Sequence, residues 1–180
     1  LESRSKELLT LLDHLHVQIK GLEDEVEILI EKDDGTLSTG EKRNLLLDRA
    51  QGDYIAFVDD DDLVAPNYVE LTMQALEQEP DVVGMHLVMT TNGEKAERSF
   101  HSLQFDHWFD QPSHLIPGTK EYFRNPNHLN PVKREYAQEV RFPEITMRED
   151  RDYSTRLLPQ LKSEVFIEPP IYFYLFREGK

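Results

Sequence analysis

The stretch Gly52-Asp53-Tyr54-Ile55-Ala56-Phe57-Val58-Asp59-Asp60-Asp61-Asp62 decides how this chain is read, because a turn, an apolar run and four consecutive carboxylates follow one another in it. Tyr54 to Val58 is apolar throughout, with Gly52 before it and charges after it, the pattern of a strand buried on both faces. The carboxylates fall at the C-terminal end of that strand, the edge at which open α/β sheets bind ligands. Four acidic side chains there predict a hard divalent cation, with a phosphate-bearing substrate bringing the charge that the cation neutralises.

Working upstream, Ser38 and Glu41 have capping-box spacing and open a helix that runs to about Ala50 with Leu45, Leu46 and Leu47 on it. Before it, Val26-Glu27-Ile28-Leu29-Ile30 reads as a strand that also ends in charges, Glu31-Lys32-Asp33-Asp34-Gly35. At the start, Leu8, Leu11, Leu12, Leu15 and Ile19 recur at helical spacing, and Gly21 lies just past the end of that helix. Downstream, Pro66 suits the first turn of a helix with Val69, Met73 and Leu76 inward, which Pro80 stops. Helix and strand alternate so far, which predicts a parallel sheet covered by helices.

The pattern changes after Asp81. Val82 to Met89 reads as a strand, and Asn92-Gly93 is a hairpin turn leading into a polar return to about Phe100. Ser102 to Asn130, rich in Pro, His, Asn and aromatics without a sustained period, predicts loops and short strands that line a site. A last helix is expected from about Glu149 to Leu161, with Tyr153, Leu157 and Leu161 inward. Val165 to Ile167 and Ile171 to Phe176 read as two closing strands separated by Pro169-Pro170.

Composition bounds the functional classes. The 180 residues suffice for one domain with a substantial core. A net charge of −15, from 20 Lys and Arg against 35 Asp and Glu, argues against a nucleic-acid or anionic-lipid partner. The absence of cysteine excludes disulfide and thiolate chemistry and agrees with a reducing compartment. No apolar run approaches the roughly 20 residues of a transmembrane helix, and the N-terminus lacks a signal-peptide pattern, so a soluble, cytoplasmic protein is expected.

Four groups of residues, in this order, carry a resemblance: Lys32-Asp33-Asp34-Gly35; Lys42-Arg43-Asn44; Ala50 to Asp62; and Arg148-Glu149-Asp150 with Arg156-Leu157. Together they resemble the family 2 glycosyltransferases of the GT-A fold, closely from about Val26 to Leu76 and again from His128 to Leu161. The resemblance implies an α/β, Rossmann-like mixed sheet, mainly parallel and flanked by helices, in a single domain over residues 1–180. Residues 1–100 would form the nucleotide- and metal-binding half and 101–180 the acceptor-binding half. It implies a metal-dependent, inverting hexosyltransferase-type enzyme that uses Mn²⁺ or Mg²⁺ and a nucleotide-diphosphate sugar, a UDP-sugar first, with a glycan or other hydroxyl acceptor.

The family's Asp-x-Asp falls on Asp59 and Asp61. Asp61 would ligate the metal, and Asp59 would face the ribose or metal-bound water, with Asp60 and Asp62 in support. Asp34 would accept a hydrogen bond from the nucleotide base with Asp33 beside it, and Arg43 would approach the base or phosphates. Asp150 matches the general base, Glu149 would orient it or contact the acceptor, and Asp152 is the alternative if the register slips. His128 is a further candidate for a metal or phosphate contact. Family members usually begin with an apolar strand central to the sheet, and this chain starts just after it. The resemblance therefore implies an upstream segment or a rearranged sheet, since losing a central strand leaves two unpaired edges.

Each motif also has a structural reading. Acidic residues at helix starts partner the dipole, which applies to Asp59–Asp62 and to Glu149, Asp150 and Asp152 alike. Asp33-Asp34-Gly35 is also an ordinary turn, and Arg43 also a surface helix cation. Trp108 can stack on a sugar ring or plug the core. An EF-hand starting at Asp59 is excluded, because Leu63 and Val64 occupy its fifth and sixth positions. Two other functions stay open: a sugar-nucleotide pyrophosphorylase, although no Gly-rich phosphate loop is visible, and a non-catalytic metal-binding or scaffold domain of the same fold.

Overall fold

The computed structural model describes residues 2–177. Helix α1 (Glu2–Gln18) turns its apolar stripe inward, with Leu11 buried and Leu15 and Ile19 packed on the same core. Helix α2 (Thr39–Arg49) starts on the expected capping box: the Ser38 hydroxyl accepts from the Glu41 N–H, and the Glu41 carboxylate accepts from the Ser38 N–H. Helix α3 (Tyr68–Leu76) buries Tyr68, Val69, Thr72 and Ala75. Helix α5 (Glu149–Leu157) continues into a short 3-10 turn at Leu158–Gln160 and buries Tyr153 and Leu157, as their spacing predicts.

Among the described residues the sheet has eight strands: β1 (Tyr54–Ile55), β2 (Leu63–Val64), β3 (Val82–Thr91), β4 (Glu94–His101), β5 (Phe109–Pro112), β6 (Lys120–Arg124), β7 (Val132–Lys133) and β8 (Glu164–Phe176). Their order is β1-β7-β3-β4-β6-β5, with β8 alongside β3 and β2 on β8. The expected mixed sheet with flanking helices is present, but the mainly parallel character is corrected. Only β3–β8 and β4–β6 are parallel, and the other pairings are antiparallel. One antiparallel pairing is the hairpin between β3 and β4, where Asn92 (φ 54°) and Gly93 (φ 78°) adopt the left-handed conformations that a two-residue turn needs.

Three strand expectations change. Val26–Ile30 joins no strand, and the Tyr54–Val58 run keeps only Tyr54 and Ile55 in a ladder, against β7. The backbone continues with a single bond from the Phe57 N–H to the His128 carbonyl. The reason is spacing, since strands pair only when about 4.8 Å apart. Instead, Val26–Ile30 and Tyr54–Val58 both line a cleft of about 1270 Å³, together with Leu8, Leu12 and Leu15 of α1. Third, the two closing strands are one 13-residue strand; its register against β3 shifts at His86, opposite Pro170, because the prolines lack an N–H and make a bulge rather than a break. A short helix, α4 (Arg134–Val140), appears where no element was expected.

Two apolar clusters form the core. One packs α1 and α3 on Val83, Met85, Leu87, Ile171 and Tyr172; the other packs α2, α4 and α5 on Phe57, Val82 and Val132. The second cluster packs Leu47 of α2 and Tyr153 and Leu157 of α5 with Phe57, two residues before the acidic run.

Candidate active site

Arg43, one turn into α2, is 7% exposed and meets two carboxylates. Its Nη1 donates to Glu149 Oε1 at 2.7 Å and its Nη2 to Asp59 Oδ1 at 3.0 Å. The guanidinium lies over Phe142 (5.4 Å to the centroid) and Phe57 (5.9 Å), and Phe142 stacks in turn on Tyr153 of α5 at 4.0 Å. The next residue fixes the helix: Asn44 donates to the Phe142 carbonyl and accepts from the Phe142 N–H, both at 2.9 Å. Arg43 therefore cross-links the acidic run to the start of α5, a role that helical spacing could not reveal.

Asp59 also lies 3.5 Å from His128 Nε2, and neither ring nitrogen of that buried histidine has a hydrogen-bond partner among the described residues. Burial on its own would raise the Asp59 carboxyl, but the nearby His128 and then the Arg43 guanidinium outweigh it and hold the group well below the usual carboxylate range. Glu149 goes the other way. Burial raises it, and Arg43 only partly offsets that.

Asp62 is turned inward and 2% exposed. It accepts from the Tyr172 hydroxyl at 2.7 Å and from the Leu175 N–H at 2.8 Å, while the Tyr172 oxygen accepts from the Asp59 N–H at 3.1 Å. Its own N–H closes the turn on the Asp59 carbonyl. Burial pushes its carboxyl up to about 7. Asp62 thus ties the acidic turn to β8 rather than facing the cleft, and Tyr172, 110 residues away, is a partner with no local sequence signal.

Asp33, Lys42, Arg43, Asp59, Asp60, Asp61 and Glu149 line one cleft. Asp33 is bound within its own turn, accepting from the Gly35 and Leu37 N–H groups and pairing with Lys42 at 3.2 Å. Asp34 is exposed, accepts from the Thr36 N–H and does not line the cleft. Asp150 follows Glu149 at the start of α5, after Arg148 in a left-handed conformation (φ 68°), and accepts from the Arg151 N–H. Asp152 lies on the exposed side of α5, paired with Arg156. Trp108 donates to Ser154 of α5 at 3.3 Å.

Among the described residues no three His, Asp or Glu side chains converge as a metal set. The oxygen donors of Asp60 and Asp61 at the cleft still fit a Mg²⁺-type ion, which is commonly held by one or two carboxylates plus substrate phosphates.

A mixed sheet with an acidic turn at one edge, faced by the acidic start of a later helix, defines a domain of the GT-A class. The Glycosyl transferase family 2 profile matches residues 13–178, and the chain belongs to that family. Among solved structures, S. aureus TarS 1–349 in complex with UDP-GlcNAc superposes with a TM-score of 0.61 at 16% identity, over 92% of this chain and 47% of that one. S. aureus TarS 1–349 in complex with UDP gives 0.57 at 17% identity, over 81% and 42%. The chain thus spans about half the length of these structures, and at such identities the likeness is one of fold. No curated protein matches the sequence. No helix among the described residues is long and apolar enough to cross a membrane.

Proposed function

We propose that this domain binds a nucleotide-diphosphate sugar, a UDP-sugar first, and transfers the sugar to a hydroxyl acceptor with inversion. The observation that carries the reading is the Arg43 bridge, which brings the acidic run and Glu149, the residue before Asp150, to one cleft. Family membership and the nucleotide-bound TarS structures support the donor class.

In this reading Asp61, with Asp60, holds Mn²⁺ or Mg²⁺, which supplies Lewis-acid stabilisation of the departing diphosphate when bound. Asp59 is held ionised by Arg43 and His128 on the ribose side, and Asp33 shapes the turn beside the base. Asp150 takes the proton of the acceptor hydroxyl as that oxygen bonds to the anomeric carbon and the bond to the diphosphate oxygen breaks on the opposite face. Glu149, tied to Arg43, sets the position of Asp150. Residues 101–180 then supply the acceptor side.

Calorimetry with UDP and Mn²⁺ tests the donor half. Binding is expected, and Asp61→Ala should remove its metal dependence. Asp150→Asn should keep UDP binding and lower transfer by about 10²-fold or more. Absence of UDP binding would remove the reading in favour of a scaffold domain of the same fold.

A further inference from the structure

Arg124 ends β6 beside the start of α5 and is held in an unusual number of ways. Its guanidinium lies 5.1 Å from the Trp108 ring centroid and 5.2 Å from that of Tyr122. Nη1 donates to the carbonyls of Phe109 (2.6 Å) and Phe123 (2.9 Å), while Nη2 and Nε meet no acceptor among the described residues. Trp108 is anchored too. Its indole N–H donates to Ser154, whose hydroxyl is fixed on the Pro126 carbonyl at 2.8 Å. Ser154 stands four residues after Asp150 on α5, one turn along the same face. The stacked pair is therefore a turn away from the candidate base.

The charges around this guanidinium are unusual for a chain of net charge −15. Burial lowers the Arg124 proton affinity, and the charge of Arg151 lowers it further, while Asp110 and Asp150 act in the opposite direction. Asp110 is already bonded to Lys120 at 2.7 Å. Arg151 is exposed, and its side chain has no protein acceptor among the described residues. Two guanidinium groups with unused donors thus lie within electrostatic range of each other, one of them next to Asp150 in the chain and the other feeling its charge. A guanidinium held in plane by rings and carbonyls is pre-organised to take an oxyanion through parallel N–H bonds, which costs less ordering than recruiting a mobile side chain.

We infer that Trp108, Tyr122 and Arg124 form an acceptor-binding platform on which Arg124, assisted by Arg151, holds a carboxylate or phosphate of the acceptor while its hydroxyl faces Asp150. The inference rests on the proposed transfer reaction and adds to it a class of acceptor, a hydroxylated molecule carrying an oxyanion.

Trp108 is the single tryptophan of the chain, so its emission reports directly on the platform. The protein is titrated with glycerol 3-phosphate and with glucuronate, and with glycerol and glucose as neutral controls, at constant ionic strength. A saturable change is expected with at least one anionic probe and with neither neutral one. Saturation by only one of the two anions assigns phosphate or carboxylate as the acceptor's group. Arg124→Gln should abolish saturation, and Arg124→Lys should weaken it about tenfold, because an ammonium cannot reproduce the planar fork. If Arg124 variants fail to fold by circular dichroism, the exposed Arg151→Gln variant is used, with a weakening of several-fold expected. No saturation with either anion, an equal response to the neutral probes, or a response untouched by Arg124→Gln and Arg151→Gln overturns the inference. UDP binding by calorimetry is read in parallel. UDP binding with a silent platform defeats this inference alone, whereas a responsive platform without UDP binding leaves an oxyanion site and defeats the donor reading.

Discussion

At the scale of single residues, Arg43 shows how a buried cation organises opposite charges. Arg43 and Glu149 each have side chains 8% exposed, so removing the cation strands Glu149 in the interior and frees Asp59 from one of its two partners. Arg43→Met should therefore cost about 3–5 kcal/mol in urea unfolding, mostly as the penalty of the unpaired carboxylate. Glu149→Gln in the Arg43→Met background should cost much less than it does alone. A second residue-scale effect belongs to His101, which is 5% exposed and bonded to Asn130. Burial lowers its imidazole to about 3 from the ordinary 6.5. Between those values the unfolded chain binds a proton that the native state does not, so stability rises with pH there and is lost as pH falls from 6.5 toward 3. The effect amounts to about 5 kcal/mol at most, and His101→Gln should flatten that limb of the stability profile measured by urea unfolding at stepped pH.

At the scale of elements, the site depends on how closely α2 approaches the chain before α5. Gly40 is the contact point: its N–H donates to the Ile145 carbonyl at 3.1 Å, and a Cβ there would sit 1.8 Å from the Pro143 carbonyl oxygen. The obstacle is backbone, which cannot move aside as a side-chain tip does. Gly40→Ala should destabilise by about 1–3 kcal/mol and shift α2 away from α5. Its signature is a weaker Arg43–Glu149 coupling in a double-mutant cycle, with the capping box at Ser38 and Glu41 intact. The capping box, the Asn92-Gly93 hairpin and the start of α5 were legible because each rests on residues within four positions of one another. The strand at Val26–Ile30 was misread because its apolar pattern satisfies a sheet only if a neighbouring edge comes within bonding distance, and that depends on chain elsewhere.

At the scale of the whole molecule, stability is unevenly spread. The centre of the sheet is β3, which pairs along its length with β4 and β8 and is buried from Val82 to Met85. By contrast, Ile28 and Leu29 on one wall of the cleft, and Ala56 and Val58 on the other, have no backbone hydrogen bond among the described residues. Amide hydrogen exchange should therefore find Val83, Met85 and Leu87 protected to the global unfolding limit, and the amides of Ile28, Leu29, Ala56 and Val58 exchanging orders of magnitude faster. Uniform protection across the two cleft walls would contradict this division.

The amino-acid sequence by itself determined the local units: the helices with their caps, the hairpin, and an acidic run following an apolar one. These follow from periodicity and from the conformational preferences of nearby residues. It also carried the family resemblance, since the motifs keep their order along the chain. Only the tertiary structure decided what the charged residues do. Arg43 pairs with Glu149 106 residues later, and Asp62 with Tyr172 110 residues later. Among four identical aspartates, it places one on the arginine, turns one into the core and leaves two at the cleft. The mainly antiparallel pairing of the sheet was decided there too. The physical reason is that burial, pairing and strand direction arise from contacts between distant segments, and side-chain spacing along the chain carries no record of which distant segment arrives.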